Sequence, residues 1–175
     1  KAVAYGLTEE TGFQMDLEEV KAKITPKTRA IVIITPNNPT GGVLSEDVLR
    51  ELSEIAVQND LMVISDEVYE RLVYDGAKHI SIASLPGMKE RTFTMNGMSK
   101  AYAMDGWRLG YVAAPEEYIL AMYKFHQHNT TCAPSFVQAA AIAALNEEGD
   151  EVNEMVKEYQ RRRDYAVNAI NAIPG

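Results

Sequence analysis

The stretch from Arg29 to Ile64 constrains this chain more tightly than any other feature, because it reads as strand, helix and strand with turn signals between them. Arg29-Ala-Ile-Val-Ile-Ile34 is short, β-branched and apolar at successive positions, the pattern of a parallel strand covered by helices on both faces. The loop Thr35-Pro-Asn-Asn-Pro-Thr-Gly-Gly42 ends it. Ser45 then offers an N-cap to a helix whose apolar residues Val48, Leu49, Leu52, Ile55 and Ala56 recur at the helical period, leaving Glu46, Asp47, Arg50 and Glu51 for solvent. Leu61-Met-Val-Ile64 follows as a second strand. Such a unit is a right-handed crossover in nearly all known cases, and it puts the loops after both strands at one edge of a parallel sheet. Ligands of open α/β sheets bind at that edge.

The flanking sequence continues the alternation. Asp16, with Glu19 three residues on, has the spacing of a capping box for a helix that carries Leu17, Val20 and Ile24 and ends before Pro26. Arg91-Thr-Phe-Thr-Met95 reads as a third strand and Tyr111 to Ala113 as a fourth. Helices are expected from Pro115, as the first helical residue, to about His126, from Pro134 through Leu145, and from Asp150 to Ala172. No repeat or low-complexity linker divides the chain, so a single α/β domain with a mainly parallel sheet is expected.

Composition removes several classes of function. A chain of 175 residues can bury about 70% of the surface its unfolded form exposes, so it needs no covalent staples. Cys132 stands alone, and no Cys/His spacing suggests zinc, which favours a reducing, cytoplasmic setting. His126 and His128 are two apart on an expected helix and point to different faces, so no metal is expected there. The longest apolar run, Ala139 to Leu145, is too short to span a bilayer. A net charge of −8, with Arg161-Arg162-Arg163 as the largest basic cluster, argues against a nucleic-acid surface. The segment Glu147 to Arg163 alternates in sign and reads as a solvated helix face, its basic triplet needing no partner. The absence of an initiator Met and of a signal pattern suggests a piece of a longer chain.

Chemistry concentrates at the strand ends. Asn38 follows the first strand, Asp66 and Tyr69 the second, and Lys100 and Arg108 the third, at spacings of 28, 3, 31 and 8. Each alone has an ordinary structural explanation as a turn residue, a cap, a core edge or a surface charge. Together they bring an amide, a carboxylate, a phenol, an amine and a guanidinium to one edge of one sheet. Leu61 to Glu67 could also end a magnesium-binding strand of a nucleotide hydrolase, but no phosphate-cradling Gly-x-x-x-x-Gly-Lys-Ser/Thr accompanies it.

Three segments carry a resemblance: Asn37-Asn-Pro-Thr-Gly41, Ser65-Asp-Glu-Val-Tyr69 and Ser99-Lys-Ala-Tyr-Ala-Met-Asp-Gly-Trp-Arg-Leu-Gly110. In that order and spacing the chain resembles the class I/II aminotransferases, fold-type I pyridoxal phosphate enzymes related to aspartate and aromatic aminotransferases. The resemblance implies a three-layer α/β/α fold, incomplete here, with residues 1–175 forming part of one large cofactor-binding domain. It implies pyridoxal 5'-phosphate as cofactor, amino acid and 2-oxo acid as substrates, and a homodimer when full length. Lys100 would form the internal aldimine and move the proton at the substrate Cα. Asp66 would pair with the pyridine nitrogen. Asn38 and Tyr69 would hydrogen-bond the 3′-oxygen, and Arg108 would hold the phosphate with its planar fork.

The match departs from the family in places. Many relatives carry a hydroxyl three residues before the lysine as a phosphate ligand, but this chain has Gly97 there, leaving Ser99 as the nearer candidate. The glycine-rich phosphate turn, the aromatic that stacks on the ring and the arginine for the substrate carboxylate lie, in the family, outside this stretch. No Arg occurs between Arg108 and Arg161, so dicarboxylate selectivity through an arginine from that segment is unsupported. Two alternatives stay open at this point: a C–S lyase of the same fold, and the aminotransferase-like sensor domain of a transcription regulator.

Overall fold

The structure, a computed structural model, describes residues 1–146 and 149–174. Its centre is a four-stranded sheet of order β1-β2-β3-β4. Strand β1 (Ala30–Ile34), β2 (Met62–Asp66) and β3 (Thr92–Gly97) run parallel, and β4 (Gly110–Ala113) is antiparallel to β3. The sheet is therefore mainly parallel, as the crossover pattern requires.

One face of the sheet is closed by α1 (Leu17–Lys23) and α2 (Glu46–Gln58). Ser45 Oγ accepts from Val48 N at 3.3 Å to begin α2, and Leu49, Leu52, Ile55 and Ala56 are buried at the expected helical spacing. They pack with Ile31, Ile33, Leu61 and Val63 into the core. Asp16 caps α1 by accepting from Glu18 N at 3.0 Å and Glu19 N at 3.1 Å. The expected reciprocal arm of a capping box is absent, because Glu19 turns instead to Gly6 N and Lys23.

The opposite face corrects a second expectation. Ile31 and Ile33 are buried, but Ala30, Val32 and Ile34 are exposed, so β1 is covered on one face only by the described residues. A third layer begins at the other end of the sheet, where strand alternation turns Phe93 to this face and its ring meets Tyr118 of α3 (Glu116–Asn129) at 5.2 Å. Pro115 caps α3 from just outside rather than opening its first turn, and the helix runs past His126. Two further helices follow, α4 (Ser135–Asn146) and α5 (Glu151–Asn171). The expected solvated stretch beginning at Glu147 falls partly on residues 147–148, which lie outside the described residues.

Large apolar side chains stay in water on the later helices: Leu120, Tyr123 and Phe125 of α3, Phe136 and Ile142 of α4, and Tyr165 and Ile170 of α5. Val32 and Ile34 on the open face of β1 are exposed as well, and exposed apolar surface of this kind favours association. Expressed by itself, this 175-residue chain is expected to self-associate, eluting as aggregate in size-exclusion chromatography. Monodisperse material that melts cooperatively would contradict the expectation.

Candidate functional site

The register sets the ends of β1 and β2 side by side and brings them against Met95, two residues before the end of β3. Ile34 pairs with Asp66, and Asp66 with Met95. Alternation along β2 buries Val63 and Ser65 under the α2 layer and turns Met62, Ile64 and Asp66 to the open face. Asp66 thus ends an apolar ridge as a half-buried carboxylate, and its Oδ1 accepts from Val68 N at 3.2 Å. That bond starts the turn that delivers Tyr69.

The loop after β1 is folded by its own polar groups. Thr35 is buried, donating its amide to Asp66 O at 3.0 Å and accepting from Leu44 N through Oγ1 at 3.0 Å. Asn37 Oδ1 accepts from Thr40 N at 3.3 Å and Thr40 Oγ1 at 2.9 Å, while Gly41, at φ 73°, donates back to Asn37 O. With Asn37 spent on the turn, its neighbour Asn38 is displayed outward. Asn38 Nδ2 donates to the Tyr69 hydroxyl at 3.4 Å. The Lys100 ammonium lies 5.5 Å from the centre of the Tyr69 ring, inside cation–π range. Tyr69 therefore joins the loops after all three parallel strands. Among the described residues Lys100 makes no ion pair, which leaves its amine available for chemistry.

The remaining expected site residues are placed differently. Ser99 is half-buried and Arg108 exposed, and among the described residues neither has a hydrogen bond to Asn38, Asp66, Tyr69 or Lys100. Arg108 sits at φ 55° after a 3-10 turn over Asp105–Trp107, and its guanidinium donates to Asp105 O at 2.9 Å. Gly97 explains one departure from the family pattern. A Cβ there would lie 3.1 Å from Leu109 O and 3.3 Å from Gly110 Cα, so a side chain fits only if this backbone gives way by a few tenths of an ångström.

Beside Asn38 and Tyr69 opens a cavity of about 880 Å³, also lined by Thr40, Tyr74, Asp75 and Arg163. Its far wall corrects the reading of the basic triplet as partnerless. Arg163 holds Asp75 in a bidentate pair at 2.8 and 2.9 Å and lies 5.3 Å from the Tyr74 ring centre, tying α5 to the loop after β2. The guanidinium holds the Asp75 carboxyl below the usual carboxylate range. Arg161 and Arg162 do stay on their own helix, paired with Glu158, whose carboxyl they draw down to about 2.

Sequence reasoning missed one cluster. Glu67 is 1% exposed, and its carboxylate accepts from Ser65 Oγ at 2.8 Å, Ser81 Oγ at 3.0 Å and His79 Nε2 at 3.0 Å. Glu67, Glu70 and His79 each offer an atom that could ligate a metal, all within 4.8 Å of one another. Hydrogen bonds with Ser65, Ser81 and His79 already occupy the Glu67 oxygens, while His79 Nδ1 has no partner among the described residues. The only signal in the sequence was an acidic residue directly after a strand end, with Ser and His twelve to fourteen residues on in a loop of no periodicity.

Comparison with known proteins follows the same lines. A family model described as aminotransferase class I and II matches residues 1–175. The chain is 51% identical to aromatic-amino-acid aminotransferase 2 of Thermococcus litoralis, over 99% of this chain and 45% of that protein. It is 50% identical to an aspartate aminotransferase of Pyrococcus abyssi, again over 99% of this chain and 45% of that protein. The solved aromatic aminotransferase of Pyrococcus horikoshii superimposes with a TM-score of 0.93 at 50% identity, covering 97% of this chain and 46% of that one. The chain thus spans about half the length of the relatives it matches. Among the described residues, no helix is long and apolar enough to cross a membrane.

The glycine contact yields a test. Gly97→Ser in the full-length protein is expected to lower stability by about 1–3 kcal/mol through overpacking against β4, measured by urea unfolding. An unchanged midpoint would show that β4 can yield.

Proposed function

The chain belongs to the class I and II aminotransferases, and from that premise we propose that the full-length protein moves amino groups between an amino acid and a 2-oxo acid with pyridoxal 5'-phosphate. The observation that carries this is the gathering of Asn38, Tyr69 and Lys100 beside the half-buried Asp66. That donor set fits the cofactor in kind: a primary amine with no ion pair among the described residues, a carboxylate on the same sheet edge, and a phenol and an amide held together. Residues 1–175 are read here as the central part of one large cofactor-binding domain, the rest of which, with a smaller domain, would come from other parts of the protein.

Bound pyridoxal phosphate supplies an aldehyde that receives the amino group and a ring that accepts the electrons left when the substrate's Cα proton departs. Lys100 is the amine that would attach the aldehyde covalently and, once freed by substrate, take the Cα proton and return it. Its place over the Tyr69 ring leaves the ammonium exposed and movable. Asp66 would keep a proton on the ring nitrogen, which makes the ring the stronger electron acceptor. Tyr69 and Asn38 would hold the ring oxygen, the hydroxyl and the amide each having donors to offer. Arg108 and Ser99 would bind the phosphate; the Asp105 carbonyl takes one of the five guanidinium N–H groups and leaves the others. The substrates are aspartate or aromatic amino acids in this reading, after the names of the two relatives compared above. A homodimer and a cytoplasmic location complete the reading.

An absorption spectrum of the full-length protein with pyridoxal phosphate tests it. A yellow band is expected in the wild type and absent in Lys100→Ala, and aspartate or an aromatic amino acid should bleach it. A band that no amino acid alters would remove aminotransfer, and a band that persists in Lys100→Ala would remove the lysine. Asp66→Ala is expected to keep the band while turnover falls by at least about 10²-fold, the scale of a lost proton-transfer or electrostatic group. Equal loss of band and turnover would contradict the separate roles given to Lys100 and Asp66.

A further inference from the structure

Glu67 is a carboxylate almost wholly removed from water, at a position where the sheet pattern calls for an apolar residue. Taking such a group from water is costly unless hydrogen bonds replace those it loses. Here Ser65 and Ser81 donate to Glu67 Oε1, and His79 Nε2 lies 3.0 Å from Oε2. His79 is itself nearly buried, and its Nδ1 has no partner among the described residues. The bond pattern therefore assigns the imidazole proton to Nε2, since a proton on Nδ1 would be a buried donor with no acceptor. Rotating the Glu67 side chain breaks three bonds at once, so it has one orientation.

Its backbone is held just as fully. Glu67 N donates to Met95 O at 2.9 Å, carrying the β2–β3 ladder one residue past the strand end, and Glu67 O accepts from Glu70 N at 2.8 Å to close the next turn. Glu67 stands immediately after Asp66 and two before Tyr69. Because alternate residues face opposite sides, anchoring Ser65 and Glu67 beneath the sheet fixes the direction in which Asp66 leaves it. Buried ionic networks are poor sources of stability compared with well-packed apolar residues, but they can select one arrangement.

From this we infer that Glu67, with His79 and Ser81, is a positioning group for the cofactor site: it locks the 66–70 turn so that Asp66 faces the ring and Tyr69 faces Asn38 and Lys100. Glu67 touches none of those side chains and acts through the backbone it shares with Asp66 and Tyr69. Ser81 and His79 carry the restraint into the second half of the loop between β2 and β3, where Ile82, Leu85 and Met88 are buried in the core. The turn is thereby fastened to the core from below, while its upper side stays open.

The inference rests on the cofactor reading above, and the test separates the two. In the full-length protein, Glu67→Leu, Glu67→Gln and the milder Ser81→Ala would each be titrated with pyridoxal phosphate. Three quantities would be read: the dissociation constant, the circular dichroism of the cofactor band per bound cofactor, and the melting temperature without cofactor. Glu67→Leu is expected to weaken binding by about tenfold or more and to diminish the induced dichroism, in keeping with the loss of a group that orients a ligand-binding residue. Glu67→Gln should fall between it and the wild type, because the amide oxygen can still accept from both serines. Ser81→Ala should shift binding and dichroism in the same direction by less, and it decides the matter if Glu67→Leu does not fold. A lowered melting temperature with unchanged affinity and dichroism would overturn the inference and leave Glu67 a structural residue. If the wild type itself shows no Lys100-dependent band, the cofactor reading fails, and the positioning role with it.

Discussion

The in-register parallel pairing of β1, β2 and β3 is the constraint on which the rest of this structure depends. Ile34, Asp66 and Met95 sit side by side, so β1 and β2 end together while β3 runs two residues further. A one-residue slip would turn Asp66 under α2 and bring Glu67 up in its place. The pairing is held in place by the buried side chains of Ile31, Ile33 and Val63 against Leu49, Leu52 and Ala56, so the hydrophobic core and the position of the candidate site are set together. Beyond the last pair, Thr35 donates to Asp66 O and Glu67 to Met95 O, so the ladder extends one step into the loops that hold Asn38 and Tyr69.

From that edge the site is assembled by loops of different character. The loop after β1 is stiffened by Asn37 and Thr40, which leaves Asn38 to face Tyr69. The turn after β2 is anchored below by Glu67 and shows Asp66 and Tyr69 above. The segment after β3 is squeezed between Gly97 and Gly110 before it releases Lys100 toward the Tyr69 ring. Arg108, at a left-handed backbone position and tied to Asp105, belongs to a later turn of the same segment.

The sequence made parts of this visible and hid others for physical reasons. Short β-branched apolar runs and a Ser45 cap are local signals, so β1, α2 and β2 fall within a residue or two of where the pattern puts them. Asn38, Asp66, Tyr69 and Lys100 could be picked out because strand ends of an α/β sheet converge and because three segments resemble one family. Which residues of β1 stay exposed was not visible, since an apolar run does not say which part of a chain covers it. Glu67 and His79 escaped because their meeting is made by a non-periodic loop. The pair of Arg163 with Asp75 escaped because 88 residues separate them and no helical periodicity can register such a distance. Glu19 had the spacing of a capping box, yet Gly6 and Lys23 competed successfully for its carboxylate.

The central claim is that one amine at this sheet edge does the covalent work, and chemical trapping reads it directly. Full-length protein loaded with pyridoxal phosphate would be reduced with borohydride, digested and mapped by mass spectrometry. The account predicts a pyridoxyl group on the peptide that contains Lys100 and on no other lysine at stoichiometric yield. The label on a different lysine, or spread thinly over surface lysines such as Lys78 and Lys124, would contradict it.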